Sequence, residues 1–449
     1  MQDFRAFFKN KKVTVVGLGL LGKRLGDIAF LAECGAHVLV TDIKTAKELA
    51  PSVKKLKKYK NIKYVLGEHR FQDFENKDFI LKGQGVALDS PYIAHARKHG
   101  VPIEMDESLF VKLVKKLSLQ VKIIGVTGTR GKSTTTVLIY EILKSSGLPV
   151  HLGGNIRGTA ALPLLKEVKK GDIIVFELSS WQLQGFGEAK ISPDISVFTN
   201  FMPDHMNYYK NDLKKYFGDK SYIYKFQKNK DMLVLGPQMK GKIKNKNSKI
   251  INAHVKDIPG SWQVGMQKEH LRGEHNLENI TCAVAVARIL KVPEKIIKNT
   301  VENFKGISGR LEFVKTINGV DIYNDTNSCT PEATSAGLQT LGKKKNIILI
   351  MGGTDKNLEL KNLVKDVKKY AKAVVLIPGN GTDRIRKDFQ ATKLPIYEKK
   401  NLKEITEKAF VLADKGDIIL FSPAFTSFGM FNNEYDRGDK FMKIVKSLK

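Results

Sequence analysis

Apolar β-runs that each empty into a glycine-rich turn and then a helical repeat recur along this 449-residue chain. That alternation leaves little besides parallel α/β sheets as a fold. Residues 13–16, the turn 17–22, an amphipathic stretch to Cys34 and the run 38–41 read as a βαβ unit. Residues 121–126, a second glycine loop and a helix to Ser145 repeat the pattern, and 346–351, 373–377 and 417–421 are later β-runs. At about 150 residues per domain the length allows roughly three domains. Boundaries are expected near 110–118 and near 306–309, where Gly-Ile-Ser-Gly reads as a linker. The expected division is therefore 1–110, 111–307 and 308–449, with the charged segment 240–249 read as a solvated loop.

Composition narrows the function classes. The formal charge of +30 raises the question of nucleic acid. The lysines, however, are scattered in short groups such as Lys54-Lys55 and Lys343-Lys344-Lys345. They are not interleaved with aromatics and belong to no nucleic-acid module, so no nucleic-acid partner is expected. A positive field equally suits a phosphate-rich small substrate. Cys34, Cys282 and Cys329 form no close-spaced pair, which argues for a reducing compartment and a cytoplasmic protein. No apolar run of about 18 residues occurs, and the first residues lack the apolar core of an export signal. Membrane insertion is not expected.

The second glycine loop has the most specific chemistry. Gly128, Thr129, Arg130, Gly131, Lys132, Ser133 and Thr134 follow a strand and open a helix. Backbone N–H groups at a helix N-terminus point at an anion and the helix dipole favours it. Lys132 is placed to reach terminal phosphates and the Ser133 hydroxyl to ligate Mg²⁺. The spacing departs from the strict phosphate-loop motif, since Val126 stands where the first glycine would be. The first glycine loop, Gly17, Leu18, Gly19, Leu20, Leu21 and Gly22, with Asp42 ending the next strand, satisfies the dinucleotide fingerprint. Alone it would read as an NAD-dependent oxidoreductase. Two nucleotide loops in one chain fit a transferase using ATP and a second nucleotide better.

The order and separation of further motifs carry a resemblance. Thr127-Gly128-Thr129-x-Gly131-Lys132-Ser133-Thr134, Gly153-Gly154-Asn155-Ile156, Glu177-Leu178-Ser179-Ser180-Trp181-Gln182-Leu183 and Asp204-His205-Met206 resemble the motifs of the Mur ligases. So do Gly273-Glu274-His275-Asn276-x-x-Asn279 and Gly309-Arg310-Leu311-Glu312. The ending Ser422-Pro423-Ala424-x-x-Ser427-Phe428, with Arg437-Gly438, is similar to the members that add D-glutamate.

The resemblance implies an N-terminal Rossmann-like domain for UDP, a central P-loop ATPase-like domain with a mainly parallel sheet, and a C-terminal Rossmann-like domain for the amino acid. It implies a monomeric ATP-dependent amide ligase that joins D-glutamate to UDP-N-acetylmuramoyl-L-alanine through an acyl phosphate, in peptidoglycan precursor synthesis. Another ligase of this family, with a different amino acid or folylpolyglutamate-like acceptor, is the adjacent alternative. Lys132, Glu177, His205, Lys220 and Arg310 are then the catalytic candidates. Ser133, Glu177, His205 and Lys220, if carbamylated, are the candidates for holding Mg²⁺. A lysine of depressed pKa offers the neutral amine that carbamylation needs. Asn276, Asn279, Arg310 and Asp325 join the loop in binding ATP. Asn155, Ser179 and Gln182 join Gly17–Gly22 and Asp42 in binding the UDP substrate. Lys356, Ser427 and Phe428 would bind the amino acid.

This chain also departs from the family pattern. Asn327 replaces a lysine and Cys329 a threonine, which removes a charge from the amino-acid side. Lys82-Gly83-Gln84-Gly85-Val86 replaces a serine-proline-glycine turn, Arg130 an asparagine and Leu21 a threonine. Lys82, or one of the many other lysines, is the candidate to make good the lost charge.

Overall fold

The computed structural model describes residues 4–19, 23–206, 208–260, 262, 273–342, 345–355, 357–390, 393–427 and 429–448. The chain forms two compact units, 1–259 with 275–301, and 260–274 with 302–449. The first unit holds two sheets. Helix α1 (Phe4–Phe8) precedes β1 (Lys12–Val16), α2 (Lys23–Glu33), β2 (His37–Asp42), α3 (Ala46–Leu56) and β3 (Ile62–Leu66). A short 3-10 turn, Phe71–Phe74, leads to β4 (Phe79–Lys82), α4 (Pro91–Lys98), β5 (Ile103–Glu104) and α5 (Asp106–Lys116). The strands pair in parallel in the order β3-β2-β1-β4-β5. The chain reverses its direction of travel across the sheet between β1 and β4, the position where open α/β sheets leave a crevice. The first glycine loop opens from β1 at that crevice.

The second sheet follows from β6 (Lys122–Thr127), α6 (Lys132–Ser145), β7 (Val150–Gly154), β8 (Ile173–Glu177), α7 (Ser180–Ala189) and β9 (Ile195–Phe198). It continues with α8 (Leu213–Ser221), β10 (Met232–Leu235) and β11 (Lys249–Asn252), in the parallel order β11-β10-β9-β6-β8-β7. Its central strands are buried from end to end apart from the exposed Lys122, as strands covered on both faces are, and most of their residues are apolar. Helices α9 (Glu274–Ile289) and α10 (Glu294–Asn303) close the crossover region. Residues 240–248 form a connection as expected, but Lys249 begins the edge strand β11, beside β10.

The division expected near 110–118 falls inside α5, where Leu109, Phe110, Val111, Leu113 and Val114 are all buried. Apolar residues stand on more than one face of this helix, which packs on β8 of the second sheet and lies beside α2 of the first. Phe110 meets Phe176 of β8 edge-on, with ring centroids 5.5 Å apart.

The second unit is built on β12 (Glu312–Ile317), β13 (Val320–Asn324), α11 (Pro331–Leu341), β14 (Ile347–Gly352), α12 (Lys361–Tyr370), β15 (Ala371–Ile377), α13 (Asn380–Gln390), β16 (Ile396–Glu398), α14 (Leu402–Leu412), β17 (Ile418–Phe421) and α15 (Glu434–Ser447). The order is β12-β13-β17-β14-β15-β16. Parallel pairing throughout was expected; β12 and β13 instead pair antiparallel. The tight turn at Asn318-Gly319, both with positive φ, joins them too closely for a parallel crossover.

Candidate active site

Three neighbouring strand ends of the second sheet build the site. Val126 of β6 is in register with Glu177 of β8, and Thr127 with Phe198 of β9. The glycine loop after β6 is thus flanked by Glu177 on one side and by residues 199–205 on the other.

Loop geometry explains its glycines. Gly128 (φ 150°) passes so close to β9 that a Cβ there would lie 1.9 Å from Thr199 Oγ1. Gly131 (φ 78°) caps α6, and a Cβ there would lie 1.9 Å from Asn279 Oδ1. Asn200 clamps the loop: its carbonyl accepts from Thr129 N at 3.0 Å and its Oδ1 from Arg130 N at 2.8 Å. Thr199 Oγ1 donates to the Arg130 carbonyl at 2.6 Å. Neither Thr199 nor Asn200 was singled out from the sequence, where the end of the apolar run 195–198 was the signal available. Ser133 is buried in the first turn of α6, with Thr134 half-buried beside it.

Two lysine amino groups share one carbonyl. Lys132 Nζ donates to Gly128 O at 3.2 Å and to Thr129 O at 3.0 Å, while Lys220 Nζ donates to Gly128 O at 2.7 Å. Lys220 comes from α8 and is buried; burial, then the neighbouring Lys132, holds its pKa well below the ordinary lysine value. Tyr216 links the groups. Its ring lies 4.9 Å from Lys220 Nζ and 6.2 Å from the His205 ring, and its hydroxyl lies 3.4 Å from Thr129 Oγ1. His205 has φ 55°, a conformation that costs energy in a non-glycine residue and gathers at functional sites. Its ring packs against Trp181 at 4.7 Å. Asp204 is held below the usual carboxylate range by Arg130 and His205, against the opposing effect of burial.

Glu177 is only 1 % exposed. Its Oε1 accepts from Asn155 Nδ2 at 3.0 Å, and its Oε2 is buried with no hydrogen-bond partner among the described residues. A carboxylate oxygen withdrawn from water without a donor is costly, and a divalent cation is a natural ligand to relieve it.

The other expected contacts divide. Ser179 and Gln182 form a capping box on α7: Ser179 Oγ accepts from Gln182 N at 3.2 Å and Gln182 Oε1 accepts from Ser179 N at 2.8 Å. Gln182 Nε2 then donates to Glu107 Oε1 at 2.6 Å, and Glu107 pairs with Lys23 at the start of α2. This chain of contacts, unforeseen in the sequence, ties α7 to the helix that follows the first glycine loop. In that loop Leu18 N and Gly19 N donate to Asp42 Oδ2 at 2.8 and 3.4 Å, so Asp42 shapes the turn that Gly17 begins. Leu20, Leu21 and Gly22 lie outside the described residues. Asn279 is buried behind Gly131, with its Nδ2 3.5 Å from Asn276 Oδ1, and so braces the phosphate loop.

Lys82 does not make good the missing charge. It is fully buried, and Nζ donates to Val86 O at 2.7 Å and Gly83 O at 3.2 Å. Burial lowers its pKa to about 8. Its ammonium group is consumed by the replaced turn itself.

In the second unit the carboxyl ends of β13, β17 and β14 lie side by side. Asp325 is buried; Oδ1 accepts from Leu311 N at 2.9 Å and Oδ2 from Ser422 Oγ at 2.7 Å, which locks the turn carrying the exposed Arg310. Burial pushes the Asp325 pKa up to about 6. Ser427 is buried in the loop after β17, which Thr426 joins to Thr354 by paired backbone hydrogen bonds. Lys356 and Phe428 lie outside the described residues. Asn327 Nδ2 donates to Ser308 O at 3.2 Å. The buried Arg437 donates to Thr326 O at 2.5 Å and Phe425 O at 3.2 Å and lies 3.1 Å from Cys329 Sγ. It is a cation inside the unit that holds both loops together.

The loop-and-carboxylate site on a parallel sheet, with a second α/β unit after it, belongs to a known class. Residues 11–104 match the Mur ligase MurD-like N-terminal domain, 126–287 the Mur ligase middle domain, and 309–425 the Mur ligase glutamate ligase domain. The chain belongs to the Mur ligase family. It is 34% identical over 99% of both chains to the UDP-N-acetylmuramoylalanine–D-glutamate ligase of Clostridium kluyveri. It is also 34% identical, over 98% of each chain, to the enzyme of that name from Borreliella burgdorferi. Among solved structures, UDP-N-acetylmuramate-alanine ligase from Thermotoga maritima is similar in fold, with TM-score 0.61 at 18% identity over 98% of this chain and 100% of that one. MurF ligase from Thermotoga maritima in complex with ADP aligns with TM-score 0.58 at 17% identity, over 91% of this chain and 94% of that one. The oxidoreductase reading of the first glycine loop is thereby replaced by a ligase. No helix among the described residues is long and apolar enough to cross a membrane.

Proposed function

We propose that this chain is the ligase that joins D-glutamate to UDP-N-acetylmuramoyl-L-alanine, with cleavage of ATP to ADP and phosphate. The observation that carries the reading is the buried Oε2 of Glu177, which has no partner among the described residues, beside a phosphate loop whose Gly128 carbonyl takes both Lys132 and Lys220. A carboxylate is a poor electrophile, and transfer of the γ-phosphoryl group to it makes an acyl phosphate that an amine can attack. Such transfer is mainly positioning and charge neutralisation. Loop amides 128–133 and Lys132 hold the triphosphate, with Asn276, Asn279, Arg310 and Asp325 serving the same nucleotide. Ser133, Glu177, His205 and Lys220 would hold Mg²⁺, whose chemistry is to neutralise charge on the β and γ phosphates. Gly17, Leu18, Gly19, Leu20, Leu21, Gly22, Asp42, Asn155, Ser179 and Gln182 take the UDP substrate; Lys356, Ser427 and Phe428 take the amino acid. The domains of this reading are 1–110, 111–307 and 308–449, in a cytoplasmic monomer.

ADP release with UDP-N-acetylmuramoyl-L-alanine and a panel of D- and L-amino acids tests the assignment. D-glutamate should give the highest turnover. Equal turnover with other amino acids would defeat the specific reading, and Asn327 and Cys329 make that arm informative. Burial also lowers the pKa of Lys220, which supports carbamylation, in which the amine adds CO₂ and loses a proton. Removal of bicarbonate and CO₂ should then lower activity, and Lys220→Ala should regain activity with added acetate; no effect in either assay would exclude the carbamate.

A further inference from the structure

Three metal-ligating side chains converge away from the site above. His95 and His99 stand one turn apart at the C-terminal end of α4, and Glu75 follows the 3-10 turn Phe71–Phe74. His95 Nε2 lies 2.7 Å from Glu75 Oε1, and His99 Nε2 lies 4.0 Å from the same oxygen. One ligand atom from each residue falls within 4.8 Å of the others. The two imidazole centroids are 4.2 Å apart, and Phe71 covers His95 with its ring at 4.9 Å.

Hydrogen bonding prepares the rings. His99 Nδ1 lies 2.9 Å from the His95 carbonyl oxygen. A carbonyl only accepts, so Nδ1 carries the proton and a neutral ring keeps its lone pair on Nε2, the nitrogen facing Glu75. The C-terminus of α4 adds partial negative charge where a cation would sit. The side chains of His95, His99 and Glu75 are 23%, 39% and 33% exposed, which leaves an approach from solvent.

We propose that Glu75, His95 and His99 bind a divalent transition-metal ion of the zinc class, with water completing the coordination. Two imidazoles and one carboxylate suit zinc, cobalt or nickel, whereas magnesium prefers oxygen ligands throughout. On binding, the proton between His95 Nε2 and Glu75 is displaced: a neutral ring takes it up on Nδ1, a doubly protonated ring releases it to solvent, and both facing atoms become ligands. Glu75 precedes β4 by a few residues and α4 runs back antiparallel to that strand, so the cluster lies at the N-terminal edge of the first sheet. The glycine loop opens at the opposite edge. A metal here would tie α4 to the 71–75 segment and leave the ligase chemistry untouched.

The test uses the full-length protein in excess MgCl₂, which keeps the Glu177 site supplied with its own cation. Equilibrium dialysis with ZnCl₂ and visible absorption on adding CoCl₂ are compared for the unaltered protein, His99→Ala and the milder Glu75→Gln. The expected result is one equivalent of zinc bound by the unaltered protein, weakened by more than about tenfold in each variant. ZnCl₂ should raise Tm only in the unaltered protein, and ADP release without zinc should be the same in all three. Equal binding by all three proteins, or none at micromolar zinc, would overturn the proposal and leave an ordinary His–Glu pair. Circular dichroism identifies a variant that fails to fold, in which case the other variant decides.

Discussion

Glu177 shows how one residue's placement turns into chemistry. Its strand delivers it to the carboxyl end of the sheet, Asn155 satisfies one oxygen, and the other is left buried and without a donor among the described residues. Glu177→Gln keeps the shape and removes the charge, so ADP release should fall by about 10²-fold while more Mg²⁺ is needed for half-maximal rate. An unchanged Mg²⁺ requirement would separate this carboxylate from the metal. Lys132→Ala removes the loop's own cation and should lower turnover by a similar factor of about 10² or more, with the circular dichroism spectrum intact. Activity within a few-fold of the unaltered enzyme would sink the phosphate assignment. Lys82 makes the opposite point: a lysine at a substituted motif invites a functional reading, yet full burial on Val86 and Gly83 carbonyls makes it a local brace.

Among the elements, the contact between α2 and α5 is the least expected. Asp27, Asp106 and Glu107 are buried with Lys23 and Arg24. Burial, then repulsion from Asp106, pushes Glu107 up to about 8, and burial likewise raises Asp27 to about 7. A raised carboxyl pKa means the folded state keeps a proton that the unfolded chain has already lost. The stability linked to Glu107 is therefore present below its unfolded pKa near 4.5 and is lost as pH rises to about 8. Glu107→Gln keeps an acceptor for Gln182 and removes the titration. Its Tm should fall less between about pH 5 and pH 8 than that of the unaltered protein; parallel Tm curves across that range would contradict this account. Sequence periodicity could not reveal the cluster, because Lys23, Asp106 and Glu107 read as ordinary charged helix-start residues until the helices are packed together.

At the scale of the whole molecule, the formal charge of +30 surrounds substrates that, in the proposed reaction, are all anions. A positive field raises encounter rates and salt screens it. Raising KCl from low ionic strength to about 0.3 M should lower kcat/KM for the UDP substrate by about threefold to tenfold, with kcat little changed. A flat salt profile would mean that the lysines are solvated surface with no part in steering.

Local patterns by themselves determined the strands that lead into the two glycine loops, the glycine turns after them, and the runs 346–351, 373–377 and 417–421. Apolar runs and φ-permissive glycines report local backbone needs that do not depend on distant partners. The loop Gly128–Thr134 was legible for the same reason, since strand, turn and helix are contiguous there. Tertiary structure alone decided that β6, β8 and β9 are neighbours, that Asn200 clamps the loop, that Lys220 meets the Gly128 carbonyl, and that α5 packs on β8. Each of those facts depends on strand order and burial, which bring together residues tens of positions apart. No window of sequence contains the desolvation that separates a surface lysine from Lys220.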